Sequence, residues 1–77
     1  MRTGRLLVEA SGLGARVKRL ADESGVKMKV WLDALPTLDR RAIAAARLDY
    51  EETIAMWMDA HERLSEILVE LVARGAK

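Results

Sequence analysis

From Tyr50 to Arg74 the sequence reads YEETIAMWMDAHERLSEILVELVAR, about seven helical turns with no Gly or Pro before Gly75. Nothing else in the chain restricts the fold as much. With Tyr50, Trp57, Leu64 and Leu71 at heptad position a, residues Thr53, Ala60 and Ile67 fall at d, and Ile54, His61 and Leu68 at e. A two-stranded coiled coil needs only the a and d columns, so the third column widens the stripe. Such a helix belongs in a bundle, or in a dimer with its own N-terminal half beneath it. Glu52, Asp59, Glu62, Glu66 and Glu70 take the opposite faces, and Asp59 with Arg63 and Glu70 with Arg74 have the spacing of helix-stabilising ion pairs.

Upstream, Thr3 can cap a helix from about Gly4 to Ser11, with Leu6, Leu7 and Ala10 at three-and-four spacing; a strand is the rival reading of RLLVEA. Gly12 and Gly14 break what precedes them, because each glycine costs a helix about 1 kcal/mol. A second helix follows from Leu13 or Ala15 to Ser24. Leu13, Val17, Leu20 and Ala21 share one side of it, and Arg16, Lys18, Arg19, Asp22 and Glu23 the others. Gly25 sits where a helix C-terminus favours glycine, and it permits the positive φ of a tight inter-helix turn.

Residues 26–32, VKMKVWL, carry two signals. Val26, Met28, Val30 and Leu32 alternate with Lys27, Lys29 and Trp31, as in a strand. Trp31, Ala34 and Leu35 continue from Lys27 at helical spacing, and DALP suits a helix end before Pro36 better than a strand end. The balance leans to helix and leaves strand open. Beyond Pro36, Thr37 or Asp39 caps a helix over LDRRAIAAARL, whose alanines have the highest helix propensity. A bend is expected near Asp49 to Glu51, ahead of the long final helix.

The stretch Leu20 to Leu35, LADESGVKMKVWLDAL, combines a small residue, a turn Gly with an apolar follower, and a later apolar residue. In this it resembles the helix-turn-helix of the Cro and phage-repressor class of regulators. TGRLL with Glu9 and Ala10 before it, and LPTLDRRAIAAARLD after it, look like the first and fourth helices of that class, extending the resemblance over residues 3–49. It implies an all-α fold with a helix-turn-helix, and together with the long C-terminal helix read above, residues 1–77 are expected to form a single small helical domain. By that resemblance the protein is a transcriptional regulator that binds duplex DNA. The motif's second helix would enter the major groove, with Lys27 and Lys29 reaching base edges and Arg16, Lys18 and Arg19 meeting phosphate. A strand over residues 26–32 would instead resemble the ribbon-helix-helix regulators, whose paired strands enter the groove as a dimer.

Charge agrees with that division: residues 1 to 35 carry seven Lys or Arg against four Asp or Glu, and residues 36 to 77 six against eight, within a formal net charge of +1. A chain of 77 residues has a small core and often gains stability by associating. A homodimer is therefore expected through residues 50–74, with Tyr50, Ile54, Trp57, Leu64, Ile67, Leu68 and Leu71 at the interface. With no Cys there is no disulfide or thiolate chemistry, which fits a reducing cytoplasm, and no run of about 18 apolar residues offers a membrane span.

Catalysis is not expected: one His, scattered Ser and no paired carboxylates assemble no nucleophile–base or acid–base set. His61 has Trp57 and Ser65 four residues to either side and no second ligand on its face, so neither a metal nor another cofactor is implied. GLG at 12–14 lacks the third Gly and the Lys-Ser/Thr of a phosphate loop. The alternative function is a small helical interaction protein, such as a phage inhibitor or antitoxin-like adaptor, docking its C-terminal helix on a protein target. Lys27 and Lys29 discriminate between the two: on one exposed surface with Arg16 and Arg19 they favour DNA, and dispersed they favour a protein partner.

Overall fold

The computed structural model describes residues 2–75 as two long helices, α1 (Arg2–Ala34) and α2 (Arg40–Gly75), joined by a 3-10 turn over Leu35–Thr37. They lie side by side as an antiparallel hairpin, a rod of 56 × 17 × 14 Å. Its length is about that of α2, since 36 residues at ~1.5 Å each span ~54 Å.

The all-α expectation holds, and among the described residues there is no strand. Two internal boundaries do not form. α1 passes through Gly12, Gly14 and Gly25 without a turn, and none of the glycines has a positive φ. Residues 26–32 are helical, so the strand alternative does not apply, and the hinge expected at Gly25 is one turn among many in α1. The bend expected at Asp49 to Glu51 is also absent, and the division at residues 49 and 50 falls inside α2. The long C-terminal helix is longer than expected, starting at Arg40 and ending at Gly75 as its sequence indicated.

Seam periodicity explains why the helices continue. On α1 the seam is formed by half-buried or buried Leu6, Ala10, Leu13, Val17, Leu20, Ser24, Lys27, Trp31 and Ala34, alternating steps of four and three. On α2 it is formed by Ile43, Ala46, Tyr50, Thr53, Trp57, Ala60, Leu64, Ile67 and Leu71. Both are uninterrupted a/d ladders, and each helix covers the other's. Glycine's propensity cost of about 1 kcal/mol per site is local, whereas breaking α1 would forfeit the seam over several turns. The d column of α2 holds Ala46, Thr53, Ala60 and Ile67, the deepest side chains with Leu20 of α1. Ser24 and Thr53, the aliphatic hydroxyls in the seam, donate to carbonyls of their own helices, Ala21 O at 2.7 Å and Asp49 O at 3.0 Å. They thus enter it without an orphaned polar group.

Pro36 ends α1, because it has no N–H to donate to the carbonyl one turn back and its ring crowds that turn, and the chain tightens into the 3-10 turn over Leu35–Thr37. Leu38 takes the left-handed conformation, φ 58°, that reverses the chain. Asp39 caps α2, as one of the two residues expected to do so: its Oδ1 accepts from the Arg41 and Ala42 backbone N–H groups at 3.0 and 3.3 Å. Thr37 Oγ1 braces the corner by accepting from Asp39 N–H at 3.2 Å and donating to Ala34 O at 2.6 Å.

Candidate functional site

The seam leaves two flanks, and cross-helix ion pairs identify one of them. Arg63 of α2, at heptad position g, holds Glu9 of α1, also at g, through Nε at 3.1 Å. Asp49, at g on α2, holds Lys27 at 2.7 Å. Arg16 and Glu23 on α1 and Glu70 on α2 extend this column, with Arg5, Arg19, Glu52, Asp59 and Glu66 behind it. Both bridges keep their cations protonated more firmly than usual: Lys27 is raised mainly by its hydrogen bond to Asp49, and Arg63 by its hydrogen bonds to Glu9.

The opposite flank is built from the e and b positions and has little charge. On α1 it comprises Leu7, Ser11, Gly14, Lys18, Ala21, Gly25, Met28, Leu32 and Leu35, a second ladder of fours and threes displaced by one residue from the seam. On α2 it comprises Ile54, Met58, His61, Ser65, Leu68 and Val72, with Arg47 bound to Glu51 at 3.4 Å toward the turn. Leu7, Leu32, Leu35, Met58, Leu68 and Val72 are all exposed. Next to the turn this flank opens into a shallow depression of about 490 Å³ lined by Arg40, Ile43, Ala44, Arg47, Leu48 and Glu51.

The residues expected to contact DNA are dispersed. Lys27 lies half-buried in the seam with Asp49, and Lys29 is on the outer face of α1, tied to Asp33 at 2.9 Å. Arg16 and Arg19 are exposed toward the charged flank, and Lys18 toward the other. Of the residues expected at a dimer interface, Tyr50, Trp57, Leu64, Ile67 and Leu71 face α1 of the same chain in the seam, with the Trp31 and Tyr50 ring centroids 5.7 Å apart. Ile54 and Leu68 lie outside it on the uncharged flank. His61 is exposed there and stacks against Trp57, with centroids 4.9 Å apart.

Sequence reasoning missed Leu7, Met28, Leu32, Leu35, Met58 and Val72 as members of one surface. The signal was present as the second ladder on α1, which becomes visible only once that helix is read unbroken. No ligand-holding set of His, Asp and Glu is found among the described residues, and no helix there is long and apolar enough to cross a membrane. The exposed apolar side chains of this flank can act by excluding water against another apolar surface. No family model matches the chain, and no curated protein and no solved structure resembles it.

Proposed function

We propose that the protein is a helical interaction module that docks on a protein target through its uncharged flank. The carrying observation is the asymmetry between the flanks: one carries the cross-helix ion pairs, with Val26, Val30 and Met56 exposed among its charges, while the other has no cross-helix ion pair among the described residues and exposes Leu7, Leu32, Leu35, Met58, Leu68 and Val72. A face that gathers large exposed apolar side chains is where a soluble helical rod meets a partner, more than faces where such side chains stand singly among charges. Leu32, Met58 and Leu68 anchor the contact, and the shape of the flank suits a helix lying along it.

The rival reading is a duplex-DNA regulator acting as a homodimer. It draws on the resemblance to helix-turn-helix regulators and on Arg16, Lys18 and Arg19, for which no ion pair is found among the described residues. It has less support, because the two lysines at its centre are each held by an aspartate and its five basic residues share no single surface.

A photo-crosslinking side chain placed in the expressing cell decides between them. At Leu32 or Met58 it is expected to yield protein adducts, and at Asp22 or Glu62 on the outer faces it is not. Absence of adducts from the flank would overturn the module, and duplex binding that weakens with salt at about −0.9 in log–log slope per phosphate neutralised would then favour the regulator.

A further inference from the structure

We infer that the occupant of the uncharged flank is a second copy of this chain, and that two hairpins pair through it about a two-fold axis into a four-helix bundle. The inference rests on the reading of this flank as a docking surface and names its partner. Area is the first argument. The chain exposes 6009 Å², whereas a compact monomer of 8.6 kDa exposes about 4,700 Å². The excess of roughly 1,300 Å² is more than the ~800 Å² each partner contributes to a standard stable interface.

Shape is the second argument. Exposed Leu7, Leu68 and Val72 lie toward one end of the rod, Leu32 and Leu35 at the turn end and Met58 between them, so an occupant that covers them all is itself a rod of comparable length. A second hairpin has that length, and its own flank is the matching surface, as a two-fold contact requires. On α1 the flank sets large Leu7, Met28, Leu32 and Leu35 toward its ends and small Ser11, Gly14, Ala21 and Gly25 between them, where a third helix of a four-helix bundle can approach closely.

Charge and space agree. With a net charge of +1, two copies repel one another little, and the flank's charges are limited to Lys18 and the Arg40, Arg47, Glu51 group near the turn. Gly14 and Gly25 present no side chain on this flank, so a partner backbone can approach α1 closely beside them. This face differs from the interface expected from the sequence, most of whose residues are occupied inside each hairpin.

Light scattering on the full chain at tens of micromolar tests the inference, the expected mass being twice 8.6 kDa. Leu32→Asp with Met58→Asp should halve that mass, while Val30→Asp with Met56→Asp, exposed apolar positions on the charged flank, should leave it unchanged. A photo-crosslinker at Leu32 of the otherwise unaltered chain should give an adduct of two-chain mass, a result independent of whether the aspartate variants fold. A wild type with the mass of one chain, or dissociation caused by the charged-flank pair alone, overturns the inference. If the wild type is a single chain and Leu32 still captures a different protein, the second copy is excluded and the module stands. If Leu32 captures nothing, both fall.

Discussion

Lys27 reaches from the seam of α1 to Asp49 on α2, its Nζ 2.7 Å from Oδ2. A lysine at a d position is an exception in an otherwise apolar ladder; its stem packs among the seam residues and its ammonium escapes to the charged flank. The pair also disfavours a wrong register, because sliding α2 by a heptad would set Ala42 or Met56 in place of Asp49 and leave the ammonium without its carboxylate.

The pairing predicts a dependence on alkaline pH. Lys27 is raised above its ordinary 10.5, first by the hydrogen bond from its ammonium to Asp49 and then by that residue's charge. A group raised on folding contributes its full stabilisation below its unfolded value and loses it as pH rises through the folded one. The loss therefore begins above about pH 10.5. Melting temperatures at pH 8 and pH 11 should differ more for the wild type than for Lys27→Met. Equal differences would show that the bridge contributes nothing to stability.

Ile67 and Val69 stand two residues apart in α2 with opposite environments: Ile67 is 0% exposed and Val69 70%. Ile67→Ala removes seam atoms and leaves a cavity, at a cost of about 2–5 kcal/mol. Val69→Ala, on the outer face, should change stability by no more than about 0.5 kcal/mol. Denaturant unfolding of the two variants checks the contrast, and similar midpoints would place the seam elsewhere.

The a and d columns of the C-terminal half were legible from the sequence because nothing interrupts them between Tyr50 and Leu71. The seam on α1 has the same periodicity from Leu6 to Ala34, yet Gly12, Gly14 and Gly25 and the alternation of VKMKVWL hid it. Local breaker signals were set against a long-range pattern, and the pattern prevailed because its partner lies on the other helix, beyond the reach of any local window. The alternation is a by-product: Val26, Val30 and Leu32 lie on exposed faces of α1 while Trp31 enters the seam. Both flanks were beyond reach for the same reason, since no flank exists until two unbroken ladders are paired.

Gly12 now carries an expectation opposite to that of a breaker. It lies within α1, exposed, and a Cβ there would meet nothing within 4 Å. Gly12→Ala should stabilise the protein by about 1 kcal/mol through helix propensity and a less flexible unfolded chain. For a chain of this size the melting temperature should rise by about 4–8 °C. A fall would mean that the backbone at Gly12 departs from helix.

Trp57 fills the seam at a cost. Its indole Nε1, like that of Trp31, is buried with no hydrogen-bond partner among the described residues. An unsatisfied buried donor costs about 1–3 kcal/mol. Trp57→Phe removes that donor and keeps an aromatic ring, so the lost area and the relieved penalty should nearly cancel, leaving stability within about 1 kcal/mol of wild type. Trp57→Ala, which leaves a cavity, should cost about 3–5 kcal/mol. Chemical denaturation of both variants measures the difference, and an equal loss in the two would show that the indole N–H has a partner in solution.

The corner between the helices holds the strongest departure from ordinary backbone geometry. Leu38 adopts φ 58° and ψ 15°, is 82% exposed, and donates its backbone N–H to Leu35 O at 3.2 Å. A left-handed conformation costs an L-residue roughly 1–2 kcal/mol, and a leucine side chain pointing into water returns little of it. Leu38→Gly removes the penalty but makes the unfolded chain more flexible, so the net gain should be about 0.5–1 kcal/mol. Leu38→Val should lower stability, because a β-branched side chain tolerates this conformation least. Asp39→Ala, at the next position, should cost about 0.5–2 kcal/mol by uncapping the N–H groups of Arg41 and Ala42. Melting curves for the three variants should thus rank Leu38→Gly above wild type, and both Leu38→Val and Asp39→Ala below it. If Leu38→Gly melts below wild type, Leu38 is held in place by a contact outside this hairpin, and the turn end of the uncharged flank is where that contact should be sought.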